Sequence, residues 1–188
     1  DPEPAAAGAW FLSRTNRIDY LVIASRALAP AAQELADYRA GQGLRAGVAA
    51  FEDVCDLMAG GVRTPEAIPE LLSYAAATWV RPPRMVVLAG SGHYDYLGAN
   101  TDEPNHLPPM LVQTPSGVCA SDALSADVGG DDLPDVAIGR LPALTPADLA
   151  AMIGKIKAYE AEFGAEWQNQ LVLVSDQADS AGNFRAAN

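Results

Sequence analysis

Histidine, cysteine and positive charge are scarce in this chain. Its 188 residues hold two histidines, two cysteines, and 12 lysines and arginines against 24 aspartates and glutamates. Cys55 and Cys119 form no C-x-x-C pair and have no zinc-ligand spacing, which argues against a thiolate metal site. A single disulfide and two separate thiols both stand open, and the packing residues around each cysteine favour buried thiols. A net charge of −12 repels phosphate backbones and argues against nucleic acid as a partner. No apolar run approaches the ~20 residues of a membrane span. The hydrophobic fraction of 49% excludes a disordered chain, and the length suffices for one sizeable core. The first residue is Asp1 rather than Met, as expected of a processed product or an excised piece.

What the chain does have is alternation. Residues 1–18 open with a Pro- and Ala-rich lead-in that reads as a linker or extension, with Trp10 and Phe11 available to pack on a domain edge. Tyr20 to Ala24 is an apolar run with β-branched Val22 and Ile23, a buried strand. Ala29 to Gln42 reads as a helix stopped by Gly43, followed by a strand over Leu44–Ala50 and a short helical turn over Phe51–Met58. Thr64-Pro65 looks like a helix cap, but Pro69 conflicts with that start and shifts the expected regular helix toward Pro69. Pro82-Pro83 end it. Met85 to Ala89 is a third strand, continuous and apolar. Gly90 to Ala120 is a long irregular stretch, of the kind that carries function or disorder. Val136 to Gly139 is a fourth strand. A helix then starts at Thr145-Pro146, with Asp148 in the capping-box position. A fifth strand is expected over Leu171–Ser175.

This order predicts an α/β fold, a mostly parallel sheet flanked by helices in a three-layer sandwich. Ligands in such sheets bind beyond the carboxyl ends of the strands, which carry Ser25-Arg26, Glu52-Asp53, Ser91 to Asp95, and Asp176 to Asp179. The Gly90–Gly92 turn lacks the third glycine and the helix of a dinucleotide site, so it reads as an ordinary turn. His93 and His106 read as surface loop residues. The loop from Asp127 offers the best ligand chemistry. Asp127, Asp131 and Asp135 recur every four residues, and Leu133 could add a carbonyl, a hard-oxygen set suited to Ca²⁺. It is not an EF-hand, because Gly129 replaces a carboxylate. An acidic turn held by Asx hydrogen bonds is the equal alternative.

The run DDLPDVAIGRLP with its Thr-capped helix ending in KIKAYE resembles the gingipain family of cysteine peptidases. So do YLVIASRAL, YRAGQGL, TPEAIPELLSYA and MVVLAGSGHYDY, in the family's order. The resemblance implies a caspase-like α/β domain, peptide or protein substrates, and secretion or the cell surface. It implies an N-terminal subdomain over 19–165 and the start of a catalytic subdomain over 166–188. The Cys/His pair would lie outside this chain, which alone would be inactive. By the same resemblance Asp131 and Asp135 would bind calcium, with Ser91 at the position of a further family acid. Asp176 or Asp179 would be an acid that orients the catalytic histidine, and Asn183 would sit near the substrate pocket. The alternative reading is a non-catalytic, calcium-stabilised α/β interaction module.

Overall fold

The computed structural model describes residues 9–188 except 116, 132, 163, 176, 179–181, 184, 185, 187 and 188. They divide into a unit ending at Gly154 and a small unit from Lys155. In the first, four parallel strands stand in the order β2 (Ala46–Ala50), β1 (Tyr20–Ala24), β3 (Met85–Ala89), β6 (Ala137–Leu141). Tyr20 pairs with both Ala46 and Met85, and Met85 with Ala137, so all four strands start level.

β1 is buried at every position because strands flank it and helices cover both faces. Val22 and Ala24 face a core with α1 (Ala29–Gly41) and the start of α4 (Pro146–Ala161). Leu21 and Ile23 face the other core, with α2 (Phe51–Met58) and α3 (Ala67–Thr78). This is the expected three-layer sandwich. Phe11 is fully buried, and the indole of Trp79 donates to its carbonyl at 2.8 Å. Trp10 donates to the Val48 carbonyl at 3.1 Å, covering the edge strand β2.

The punctuation signals act as read. Gly43 adopts φ 90, with its N–H on the Ala40 carbonyl and the Leu44 N–H on the Arg39 carbonyl. At the α4 start, Asp148 Oδ2 accepts from the Thr145 N–H at 2.9 Å, and Thr145 Oγ1 accepts from the Asp148 N–H at 3.1 Å. Pro69 is no breaker: α3 begins at Ala67, so Pro69 falls in the first turn, where an N–H has no intrahelical partner.

Two expectations fail. Gly90–Ala120 is not wholly irregular, because β4 (Leu111–Thr114) and β5 (Gly117–Ala120) form an antiparallel hairpin. Leu171–Ser175 is not a strand; it pairs with no described strand, and Leu171 and Val172 are 84% and 78% exposed. An apolar run supplies strand propensity, but a strand takes its hydrogen bonds from a neighbour.

Asp19, before β1, is buried beneath two arginines. Its carboxylate accepts from Arg45 Nε at 2.8 Å and the Arg45 N–H at 3.1 Å, and pairs with Arg81 Nε at 2.8 Å. Hydrogen bonds from the Arg45 side chain and backbone bring its pKa from 3.8 down to about 2. The stabilisation it gives is therefore complete above pH ~4 and is lost as pH falls toward 2. An acid titration followed by circular dichroism is expected to show a shallower loss of stability for Asp19→Asn than for the parent over that window.

Candidate functional site

The carboxyl ends of β1, β2 and β3 open on one cleft of about 380 Å³. Ser25 follows β1, Glu52 is the second residue of α2, which begins directly after β2, and the loop after β3 supplies His93, Asp95 and His106. Glu52 accepts from the Arg26 N–H at 2.7 Å, and Arg26 pairs with Asp53 at 2.5 Å. Arg63 stacks over the Phe51 ring at 5.2 Å and donates to the carbonyls of Asn105 and His106.

His106 is the principal correction to the sequence reading. It is half-buried, with Nδ1 2.8 Å from Ser25 Oγ and Nε2 2.9 Å from the Leu144 carbonyl. It thus ties the ends of β1 and β6 to the loop after β3. Gly90 makes this possible, because a Cβ there would lie 2.8 Å from the His106 Cβ.

The rest of that loop is sewn together locally. Asn105 accepts from the His93 N–H at 3.1 Å and donates to the His93 carbonyl at 3.0 Å. Asp95 accepts from the N–H groups of Asn100 at 2.6 Å, Ala99 at 3.0 Å and Thr101 at 3.2 Å. The first two of these hold its carboxyl below the usual range, against the opposing effect of burial. His93 is a loop residue engaged with Glu103 and Asp95.

Both cysteines are free thiols. Cys55 is buried against the Thr64 carbonyl, and burial pushes its thiol pKa up, the opposite of what a nucleophile needs. Cys119 is not buried as expected; it is exposed on β5, where its sulfur meets Thr114 and the Gly117 carbonyl.

The acidic loop lies at the other end of the sheet. It leads into the amino end of β6, whereas Ser91 follows the carboxyl end of β3, and the two strands are parallel and in register. The six residue steps from Met85 to Ser91 span roughly 20 Å at the rise of a strand. The structure therefore does not bring Ser91 to Asp127, Asp131 and Asp135. Within the loop, Asp135 Oδ2 accepts from the N–H groups of Val128 at 2.9 Å and Gly129 at 2.7 Å. Asp127 accepts from Gly130 at 2.6 Å, and Asp131 accepts from Leu133 at 3.1 Å. Gly130 takes φ 72, and the Leu133 side chain is exposed. The Asp127 and Asp131 bonds are Asx-type turns, whereas those of Asp135 reach back six and seven residues across the loop. Among the described residues no group of three or more His, Cys, Asp or Glu is placed to hold a metal.

Asn183 is exposed and accepts from the Ala186 N–H at 3.1 Å through its carbonyl. Asp176 and Asp179 lie outside the described residues.

Comparison with known proteins gives a consistent picture. The model of peptidase family C25 matches residues 13–188. The dimeric latent PorU of Porphyromonas gingivalis is similar with a TM-score of 0.67 and 23% identity, over 85% of this chain and 17% of that one. The Arg-specific cysteine proteinase gingipain R (RgpB) has a TM-score of 0.56 and 22% identity, over 78% of this chain and 29% of that one. RgpB in the complex of its pro- and mature domains, from Porphyromonas gingivalis, has a TM-score of 0.55 and 20% identity, over 75% and 29%. The chain thus spans between 17% and 29% of these solved chains, and at such identities the likeness is one of fold. No curated protein sequence matches it.

Proposed function

The chain belongs to peptidase family C25, and on that premise we propose that it is the N-terminal, non-catalytic part of a gingipain-like cysteine endopeptidase. The reaction is thiolate attack on a peptide carbonyl with a histidine as general base. One observation carries the division of labour. Cys55 is buried with its pKa raised, Cys119 sits exposed on a hairpin, and neither sulfur has a described histidine as hydrogen-bond partner. These surroundings support a nucleophile and base supplied from elsewhere in the complete protein. Substrates are peptides or proteins, and the family resemblance supports a location outside the cell or on its surface. No helix among the described residues is long and apolar enough to cross a membrane.

A thiol-directed peptidyl chloromethyl ketone tests the assignment on the protein expressed from its complete gene. The adduct is expected on a cysteine other than Cys55 and Cys119. An adduct on either of those two, abolished together with cleavage by its alanine substitution, contradicts the proposal.

Within the proposal, Asp176 or Asp179 orients the catalytic histidine, fixing its tautomer and stabilising its cation. Asn183 borders the substrate pocket, where an uncharged side chain gives no strong preference for Arg. In the complete enzyme, Asp176→Asn or Asp179→Asn is expected to lower kcat by about 10²-fold or more while leaving the melting temperature almost unchanged. Equal kcat in parent and both variants removes the role.

Calcium is the remaining part of the proposal, as a weak structural ligand of the Asp127–Asp135 loop. Donor chemistry supports it: the carboxylates of Asp127, Asp131 and Asp135, recurring every four residues, are hard oxygen ligands. The loop's own hydrogen bonds set a baseline that an ion would add to. Asp135→Ala is expected to cost about 1–2 kcal/mol even in chelator, because the Val128 and Gly129 N–H groups lose their acceptor. Millimolar calcium is expected to add on the order of 1 kcal/mol to the parent and little to Asp131→Ala or Asp135→Ala. Thermal melts with calcium and with chelator separate the two contributions, and identical parent melts in both contradict a calcium site.

A further inference from the structure

Ser25 and His106 stand in a relation that the peptidase reading does not use. The Leu144 carbonyl, 2.9 Å from His106 Nε2, can only accept, so Nε2 carries the ring proton. In the neutral ring Nδ1 is then an acceptor, and Ser25 Oγ, 2.8 Å away, donates to it. A hydroxyl is thus bonded to a base whose tautomer is fixed by a third group.

The ring is held more firmly than a loop histidine requires. Gly90 leaves room for the His106 Cβ, and Arg63 Nη2 donates to the His106 carbonyl at 2.8 Å. The next residue, Leu107, donates its N–H to the Ser91 carbonyl at 3.0 Å. Ser25 stands where β1 turns toward α1, at the carboxyl edge of a parallel sheet. Both side chains line the 380 Å³ cleft, and so does Ala27 in that turn. The backbone N–H of Ala27 has no acceptor among the described residues.

We propose that Ser25 and His106 form a hydrolytic site for esters of small acyl groups, oriented by the Leu144 carbonyl. Ser25 is only 2% exposed, so the acyl group must be of acetyl or propionyl size to reach Oγ through the cleft. Ser25 Oγ bonds to the acyl carbon while its proton passes to His106 Nδ1. The Ala27 N–H is the donor available to the resulting oxyanion. The ester C–O bond then breaks, and the leaving alkoxide takes the Nδ1 proton and departs as the alcohol. A water molecule repeats the sequence: its proton goes to Nδ1 and its oxygen to the acyl carbon. The Oγ–acyl bond breaks, Oγ recovers the proton, and the carboxylic acid is released. Water is the only co-reactant.

The test uses the purified protein after its thiols are alkylated with iodoacetamide, so that no cysteine contributes. Methanesulfonyl fluoride, whose sulfonyl group is of acetyl size, and p-nitrophenyl acetate are the probes. Peptide mass spectrometry is expected to place the methanesulfonyl group on Ser25, and p-nitrophenol release is expected to fall by 10²-fold or more in His106→Gln. The proposal is overturned if the folded parent carries no adduct on Ser25, or if His106→Gln retains its fold and reacts at the parental rate. Should His106→Gln fail to fold, the adduct map of the parent alone decides.

Discussion

Gly92→Ala is expected to lower the stability of the first unit by about 3 kcal/mol, at the upper end of the cost of overpacking. A Cβ at Gly92 would lie 1.9 Å from the Leu107 carbonyl oxygen and 2.7 Å from its carbon. Both are backbone atoms and no rotamer change removes the clash, so the segment around Leu107 has to move. Leu107 is fully buried in the core, and His106 precedes it. The damage therefore spreads to the bonds that His106 makes with Ser25 and Leu144. Urea unfolding measures the loss. Gly154→Ala is the matched control: it sits in α4, meets nothing within 4 Å, and is expected to gain about 0.5–1 kcal/mol from helix propensity.

Arg140→Met is expected to cost about 3 kcal/mol, a fall of roughly 6–12 °C in Tm for a chain of this size. Arg140 Nε and Nη2 grip the two carboxylate oxygens of Asp122 at 2.8 and 2.7 Å. Its Nη1 donates to the carbonyls of Gly90 at 2.9 Å and Leu107 at 2.8 Å. The Arg140 side chain is only 15% exposed. Removing it leaves Asp122 and two carbonyls short of donors, and leaving such groups unpaired costs more than the net value of the bonds. Arg140→Lys is expected to recover only part of the loss, because an ammonium cannot reproduce the two-pronged contact. Asp122→Leu combined with Arg140→Met is expected to cost less than the sum of the two single changes, since each strands the other's partner. Additive losses would show that the pair is not coupled.

Local signals in the sequence translated well. The run Tyr20–Ala24 is apolar throughout because both faces of β1 are covered, and Thr145 with Asp148 formed the box that their spacing implied. Gly43 stopped α1 through a positive φ that other residues rarely adopt. What could not be read was long-range. His106 and Ser25 are 81 residues apart, and no local pattern distinguishes a histidine that bridges two strand ends from one in water. Ser91 was placed beside the acidic loop by the family pattern, and only the parallel register of β3 and β6 sends them to opposite ends. The Asp127–Asp135 loop was legible as acidic and turning. Which hydrogen bonds the carboxylates would take depended on backbone N–H directions, which composition does not encode. Leu171–Ser175 carries the propensity of a strand, but pairing is decided by a neighbour rather than by the segment itself.

The proposed division of labour between this chain and the rest of a longer protein is tested most directly by turnover. The 188-residue chain and the protein from the complete gene are each given a mixed fluorogenic peptide library, with reductant and calcium. The account predicts iodoacetamide-sensitive cleavage by the complete protein and none by the 188-residue chain. Cleavage by the chain alone that Cys119→Ala or Cys55→Ala abolishes would contradict it.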